Sequence, residues 1–124
     1  MKVGIVCAFD TYFDRVALLK EFYQKRAQVK VIASDFSHRK KEKNRESSLV
    51  DEWIDTKPYY KNLSVARLTS HYDFSKKAEK LLETETWDVL HVFVPCNSLV
   101  KFMVLIKHKQ PKTKLIFDLI DLWP

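Results

Sequence analysis

The sequence predicts one α/β domain, a Rossmann-like parallel sheet with helices on both faces. Three observations carry that prediction. Four short runs, at residues 3–8, 29–33, 88–94 and 115–117, are apolar with little polar alternation. Such runs fit strands buried on both faces, which is the pattern of parallel sheets. Between them lie segments with apolar residues at helical spacing. The first strand, helix and second strand also fit within about 35 residues, the size of a βαβ unit with its crossover.

The totals narrow the classes. With 124 residues the chain is expected to form one domain, 1–124, large enough for a real core. Apolar residues make up 46% and aromatics 13%, which is globular rather than disordered composition. The single glycine, Gly4, excludes a G-x-G-x-x-G dinucleotide fingerprint and a phosphate-binding P-loop. Cys7 and Cys96 read as reduced, buried thiols of a cytosolic protein. No paired Cys or His spacing points to a metal, so none is expected. The formal charge of +6 suggests an anionic partner: nucleic acid, anionic lipid or a phosphorylated small molecule. The most apolar segment, 99–106, is broken by Lys101 and falls far short of the roughly 20 residues of a membrane span.

In chain order, residues 3–8 (VGIVCA) read as the opening strand, followed by a loop over 9–13. A helix over 14–27 carries Val16, Leu19, Phe22 and Tyr23 at helical spacing, with Asp14 as its N-cap. Residues 29–33 form the second strand. The stretch 38–45 (HRKKEKNR) holds five cations, Arg39, Lys40, Lys41, Lys43 and Arg45. It reads either as a solvated loop or as a patch that meets anionic lipid, worth about 1 kcal/mol per basic residue at the surface. The chain is then expected to be irregular to Tyr60, apart from a short strand near 52–56 that Pro58 keeps from the sheet centre.

A second helix spans 64–83, capped by Asn62 or Ser64. Phe74, Ala78 and Leu81 share one face of it. Continued backward, that face meets His71 and Arg67, while Val65, Leu68 and Tyr72 lie on roughly the opposite side. Either the helix bends, or Arg67 and His71 project from a covered face into a cleft. They are then either a rim arginine and a hydrogen-bonded core histidine, or an anion site beside the free N–H groups of the first turn. Residues 88–94 are the most strand-like segment, with His91 buried and hydrogen-bonded inside it. Asn97 or Ser98 caps a third helix, Lys107, His108 and Lys109 complement its dipole, and Pro111 stops it.

The last eleven residues, KLIFDLIDLWP, combine the final strand with two carboxylates, Asp118 and Asp121. Ligands of parallel sheets bind beyond the carboxyl ends of the strands, which puts both acids where a site belongs. The other reading makes them loop acids that cap a following helix. D-x-x-D-L-W-P after an apolar strand resembles the family-four retaining glycosyltransferases of the GT-B fold, particularly those that build bacterial surface polysaccharides such as capsule and lipopolysaccharide. The segments AFDTYFDRV (8–16), SDFSHRKK (34–41) and KNLSVARLTSHYDF (61–74) extend the resemblance over most of the chain. Two departures stand out. Ile120 occupies a position where many relatives have His or Arg, and residues 9–13 lack the family's frequent glycine pair.

The resemblance implies that this chain is the acceptor-side, N-terminal half of a two-domain transferase. A nucleotide-sugar-binding domain is expected further along the sequence and not within these residues, so the chain alone is expected to be inactive. It implies a nucleotide-sugar donor and a saccharide or polyprenyl-diphosphate-linked acceptor, without metal, other cofactor or nucleic acid. It also implies a cytoplasmic protein peripheral at the inner face of the cell membrane. Asp121 is then the catalytic carboxylate of the cleft. Arg15, Arg67, His71, Asn97 and Asp118 are the substrate-binding candidates. Arg39, Lys40, Lys41, Lys43 and Arg45 are the candidates for contact with an anionic membrane. The alternative is a non-catalytic basic binding module for nucleotide, nucleic acid or a protein. A hydrolase is disfavoured because no G-x-S-x-G nucleophile turn exists.

Overall fold

A computed structural model describes residues 1–121; Leu122, Trp123 and Pro124, the end of the motif, lie outside the described residues. The elements run β1 (Lys2–Cys7), α1 (Phe13–Gln24), β2 (Gln28–Ser34), β3 (Phe36–Ser37), β4 (Glu42–Lys43), β5 (Glu52–Ile54), α2 (Val65–Leu82), β6 (Val89–Val94), α3 (Ser98–Lys109) and β7 (Lys114–Leu119). Five strands form one sheet in the order β5-β2-β1-β6-β7, and every neighbouring pair is parallel. This is the Rossmann-like arrangement the apolar runs predict, with β1, β2 and β6 interior. β3 and β4 pair antiparallel in a hairpin of their own.

Period-two alternation divides the core. Val3, Ile5 and Cys7 of β1 face α1 and pack with Val16, Val31, Ala33 and Phe93. Val6, Ile32, Leu90 and Val92 face the opposite way, under Phe74, Ala78 and Leu82 of α2 and Leu99, Met103 and Ile106 of α3. One helix therefore covers one face and two cover the other. Successive strands lead outward in both directions from β1 and β6, so the loops after these two strands flank the crevice where such sheets bind ligands.

Several elements differ from the sequence reading. A 3-10 turn at Asp10–Tyr12 runs straight into α1, which starts at Phe13. The N-cap residue is Tyr12, without a side-chain cap bond, and Asp14 sits inside the first turn. Phe22 is 67% exposed, because α1 stands alone on its face and Phe13, Val16, Leu19 and Tyr23 are the side chains that reach the sheet. On α2 the fully buried residue is Leu82, four residues after Ala78, and Leu81 is half-buried. Residues 36–43 form a hairpin where an irregular chain is expected. β5 is an edge strand of three residues, in line with Pro58. β7 is not buried on both faces. It is the other edge, and with no helix over its α1 side Ile116 is 42% exposed. Asn97 precedes α3 without a capping side-chain bond, and the Ser98 hydroxyl pairs with Ser75 of α2 at 2.8 Å instead.

Gly4 marks the tightest approach in the sheet. A Cβ there would lie 2.7 Å from Leu90 Cδ2 and 3.1 Å from the Trp87 ring. Trp87 Nε1 donates to the Leu82 carbonyl at 2.9 Å, so the ring is tethered where the methyl would go. Gly4→Ala is expected to cost about 1–3 kcal/mol through overpacking. Urea denaturation reads this directly, and an unchanged midpoint would show that Leu90 and Trp87 yield without cost.

Candidate functional site

The site grows from the first turn of α2. Ser64 is extended (φ −154°), and its hydroxyl accepts from the Arg67 backbone N–H at 3.1 Å, which caps the helix. Asn62 is therefore not the cap. Arg67 and His71, four residues apart, share one side of the helix. Of the two arrangements left open above, the structure has both on the covered face. Both are buried, while Val65, Leu68 and Tyr72 are exposed.

Buried cations need partners, and Arg67 has aromatic and polar ones. Its Nη1 donates to the Asn62 carbonyl at 3.0 Å and its Nε to His71 Nε2 at 3.4 Å. The guanidinium carbon lies 5.7 Å from the Phe9 ring centroid and 5.9 Å from that of Tyr59, within cation–π range. The β3–β4 hairpin adds the rest. His38 stacks on Phe9 with centroids 4.7 Å apart and hydrogen-bonds the Tyr59 hydroxyl. Lys41 takes a positive φ of 56°, and its ammonium donates to Asn62 Oδ1 at 2.6 Å and to the His38 carbonyl at 2.8 Å. On the far side, the His71 carbonyl accepts from the hydroxyls of Ser75 at 2.8 Å and Ser98 at 3.2 Å, which pins α2 to the start of α3.

Burial and like charge act together on the titrating groups. Burial first, then Arg67 and His38, push the His71 imidazole down to about 4. Burial first, then Lys41 and Arg67, lower His38 as well. Burial, followed by Arg67, lowers Lys41. Burial pushes the Tyr59 phenol up to about 12. At neutral pH the wall thus sets Arg67 and Lys41 beside two neutral imidazoles and two buried rings.

The other candidates fall into separate groups. Asp121 is exposed at the end of β7, with its backbone N–H 3.4 Å from the Val94 carbonyl. It lies electrically near the Arg67 wall: burial first and Asp121 second raise the Tyr12 phenol, and Arg67 opposes them. Asn97 is exposed at the start of α3. Asp118 lies within β7 rather than after it, and it binds Arg15 through two bonds, Nε–Oδ2 at 2.9 Å and Nη2–Oδ1 at 3.1 Å. It also bonds His91 Nε2 at 3.2 Å, and His91 Nδ1 meets the Tyr23 hydroxyl at 2.9 Å. Burial raises Asp118, but the bonds from Arg15 and His91 outweigh it and the carboxyl ends below its ordinary range. Arg15 and Asp118 are thus partners of each other on the α1 face, away from Arg67.

The five basic candidates for membrane contact hold protein partners in four cases. Lys43 and Arg45 bind Asp35, both at 3.0 Å, Lys41 binds Asn62, and Arg39 lies 3.6 Å from Asp10. Of these five, Lys40 is the one whose ammonium has no such contact among the described residues. Cys7 and Cys96 are buried and unbridged, and burial pushes the Cys7 thiol up to about 12. Among the described residues no three His, Cys, Asp or Glu side chains gather to hold a metal, and no helix is long and apolar enough to cross a membrane.

Sequence reasoning missed Phe9, His38 and Tyr59, and gave Lys41 to a membrane and Asn62 to a helix cap rather than to this wall. These residues come from the loop after β1, the turn of the hairpin and the loop before α2, with no shared periodicity. The one signal available was the interrupted apolar stripe of α2, which finds Arg67 and His71 and stops there.

No family model and no curated protein matches the chain. In fold it is similar to the crystal structure of the C-terminal domain of a hydrogenase from Pyrococcus furiosus, with a TM-score of 0.63 over 94% of this chain and 90% of that one. The two are 15% identical, so the likeness shows the fold alone.

The His71 environment has a stability consequence. In the unfolded chain the imidazole binds a proton near pH 6.5, and in the folded chain only near 4. Between these values the unfolded state holds more protons, so stability falls as pH drops through that window, by up to about 3 kcal/mol. His38 acts in the same direction. The expected outcome is a His71→Gln variant whose stability depends less on pH between 6.5 and 4 than that of the parent. Chemical denaturation at several pH values measures it, and identical slopes for the two proteins would refute the assignment.

Proposed function

We propose that this chain forms the acceptor side of a retaining, GT-B-type glycosyltransferase. The observation that carries the reading is the Arg67 wall. Arg67 and Lys41, with His38 stacked on Phe9 and His71 edge-on to Tyr59, stand at the carboxyl edge of a parallel sheet, beside its switch point, where a phosphorylated ligand is met. The D-x-x-D-L-W-P resemblance supports the same reading. In this proposal Arg67 and Lys41 hold diphosphate oxygens of a polyprenyl-diphosphate-linked acceptor, or sugar oxygens of a saccharide acceptor. His71 orients Arg67, and Asp121 is the cleft carboxylate. A second domain brings the nucleotide-sugar. In the transfer, the bond from the anomeric carbon to the leaving diphosphate breaks, a bond to an acceptor hydroxyl oxygen forms, and the hydroxyl proton passes to the leaving diphosphate, with configuration retained.

Positioning and stabilisation of the leaving group supply most of the rate in such a reaction, and both need a closed cleft. A single wall leaves the outer side of a bound diphosphate open to solvent, where it is screened and weakly held. The expected outcome for residues 1–124 alone is millimolar or weaker affinity for nucleotide-sugars and no turnover, with transfer appearing when a nucleotide-sugar-binding domain is supplied. Calorimetry and a radiolabelled transfer assay measure both. Diphosphate itself should perturb the Arg67 and His71 resonances, and Arg67→Gln should weaken that binding about tenfold. Tight nucleotide-sugar binding by this chain alone, or diphosphate binding indifferent to Arg67, would sink the reading. Diphosphate binding that never leads to transfer with any donor domain would favour a non-catalytic binding module.

A further inference from the structure

A cavity of about 300 Å³ opens on the other side of the loop after β1, away from Arg67. Phe13 and Trp53 form its apolar wall. Their ring centroids are 6.4 Å apart and tilted by 55°, and both rings are half-buried, so each keeps some face open. The polar wall is of two kinds. Asp10 is committed inward: it accepts from the Ser37 hydroxyl at 2.6 Å and from the His38 N–H at 3.1 Å, which fixes the floor. Asn44, Glu46 and Lys40 are not so committed. Asn44 Oδ1 accepts from the Glu46 N–H at 2.9 Å, which leaves both amide N–H donors for a ligand. Among the described residues, no hydrogen bond or ion pair engages the Lys40 ammonium or the Glu46 carboxylate.

Size and charge select the ligand class. Small-molecule sites start at about 300 Å³, so this cavity takes a single ring rather than a nucleotide. Arg39 and Lys40 are balanced by Asp10 and Glu46, so the walls do not select a phosphate. Open aromatic faces beside separate donors and acceptors match a molecule with apolar ring faces and a rim of hydroxyls. We propose that this cavity is a saccharide subsite for one hexose-sized ring, which packs on Trp53 and Phe13 and hydrogen-bonds Asn44, Glu46 and Lys40. The role of that sugar as part of the acceptor rests on the transferase reading; the binding itself does not.

The test is a nuclear magnetic resonance titration of the whole chain with methyl glycosides of glucose, galactose, mannose and N-acetylglucosamine, beside inorganic phosphate. At least one glycoside is expected to shift the Trp53 indole and Asn44 amide signals saturably, and phosphate is not. Trp53→Ala and Asn44→Ala should each weaken that binding about tenfold, and Lys76→Ala, at an exposed position of α2, should leave it unchanged. Asn44 lies in a loop, so its variant keeps the test intact if Trp53→Ala fails to fold. Absence of any shift, stronger shifts with phosphate, or Asn44→Ala binding like the parent overturns the proposal. Saturable glycoside shifts without transfer activity would sustain the subsite while the transferase reading fails.

Discussion

The edge that carries the site depends on one buried carboxylate, Asp35, directly after β2. Its side chain is 3% exposed. It accepts from Lys43 Nζ at 3.0 Å, from Arg45 Nε and Nη2 at 3.1 and 3.0 Å, and from the Thr56 N–H at 3.0 Å. A charge taken out of water at this depth is tolerated only when its oxygens are filled, and here they are. Each partner comes from a different part of the chain: the hairpin, the segment after it, and the end of β5. The ion cluster therefore does for this region what a hydrophobic core does elsewhere. It fixes the β3–β4 hairpin against the sheet, and the hairpin delivers His38 and Lys41 to Arg67 on one side and Lys40 and Asn44 to the second cavity on the other.

This dependence explains what was legible in the sequence. β1, β2 and β6 were legible because a strand covered on both faces can contain little but apolar residues. β7 was legible as a strand but not as an edge, since Ile116 carries no mark of which neighbour is absent. The hairpin was not legible at all. HRKKEKNR reads as a solvated loop when its charges are counted alone, and the carboxylate that turns Lys43 and Arg45 inward precedes them by eight and ten residues with no helical or strand period. Arg67 and His71 stood out because they break an apolar stripe. Their ring partners, Phe9 and Tyr59, were indistinguishable from ordinary core aromatics until the fold brought them together. The α1 face shows the converse. Arg15 was singled out through the resemblance and Asp118 through its place at the end of the last apolar run, and the structure joins them in one pair that leads inward to His91 and Tyr23.

The electrostatics of the Arg67 wall follow from the same packing. Phe9 and Tyr59 strip water from the guanidinium and from both imidazoles, so the positive charge of Arg67 acts on His71 and His38 through a medium that screens it poorly. Burial first, and the neighbouring cations second, therefore hold the two imidazoles neutral. A dianion placed against Arg67 and Lys41, as in the proposed function, reverses that balance. It cancels the repulsion that lowers the imidazoles, and their affinity for protons rises toward the ordinary histidine value. At His71, binding then draws protons from solvent in the window between about 4 and 6.5, and by linkage the anion is held more tightly as pH falls through that window. Folding responds oppositely over the same range, because the empty site loses stability as its imidazoles resist protonation. The residues that make the wall costly to fold in acid are thus the ones that strengthen its grip on an anion there.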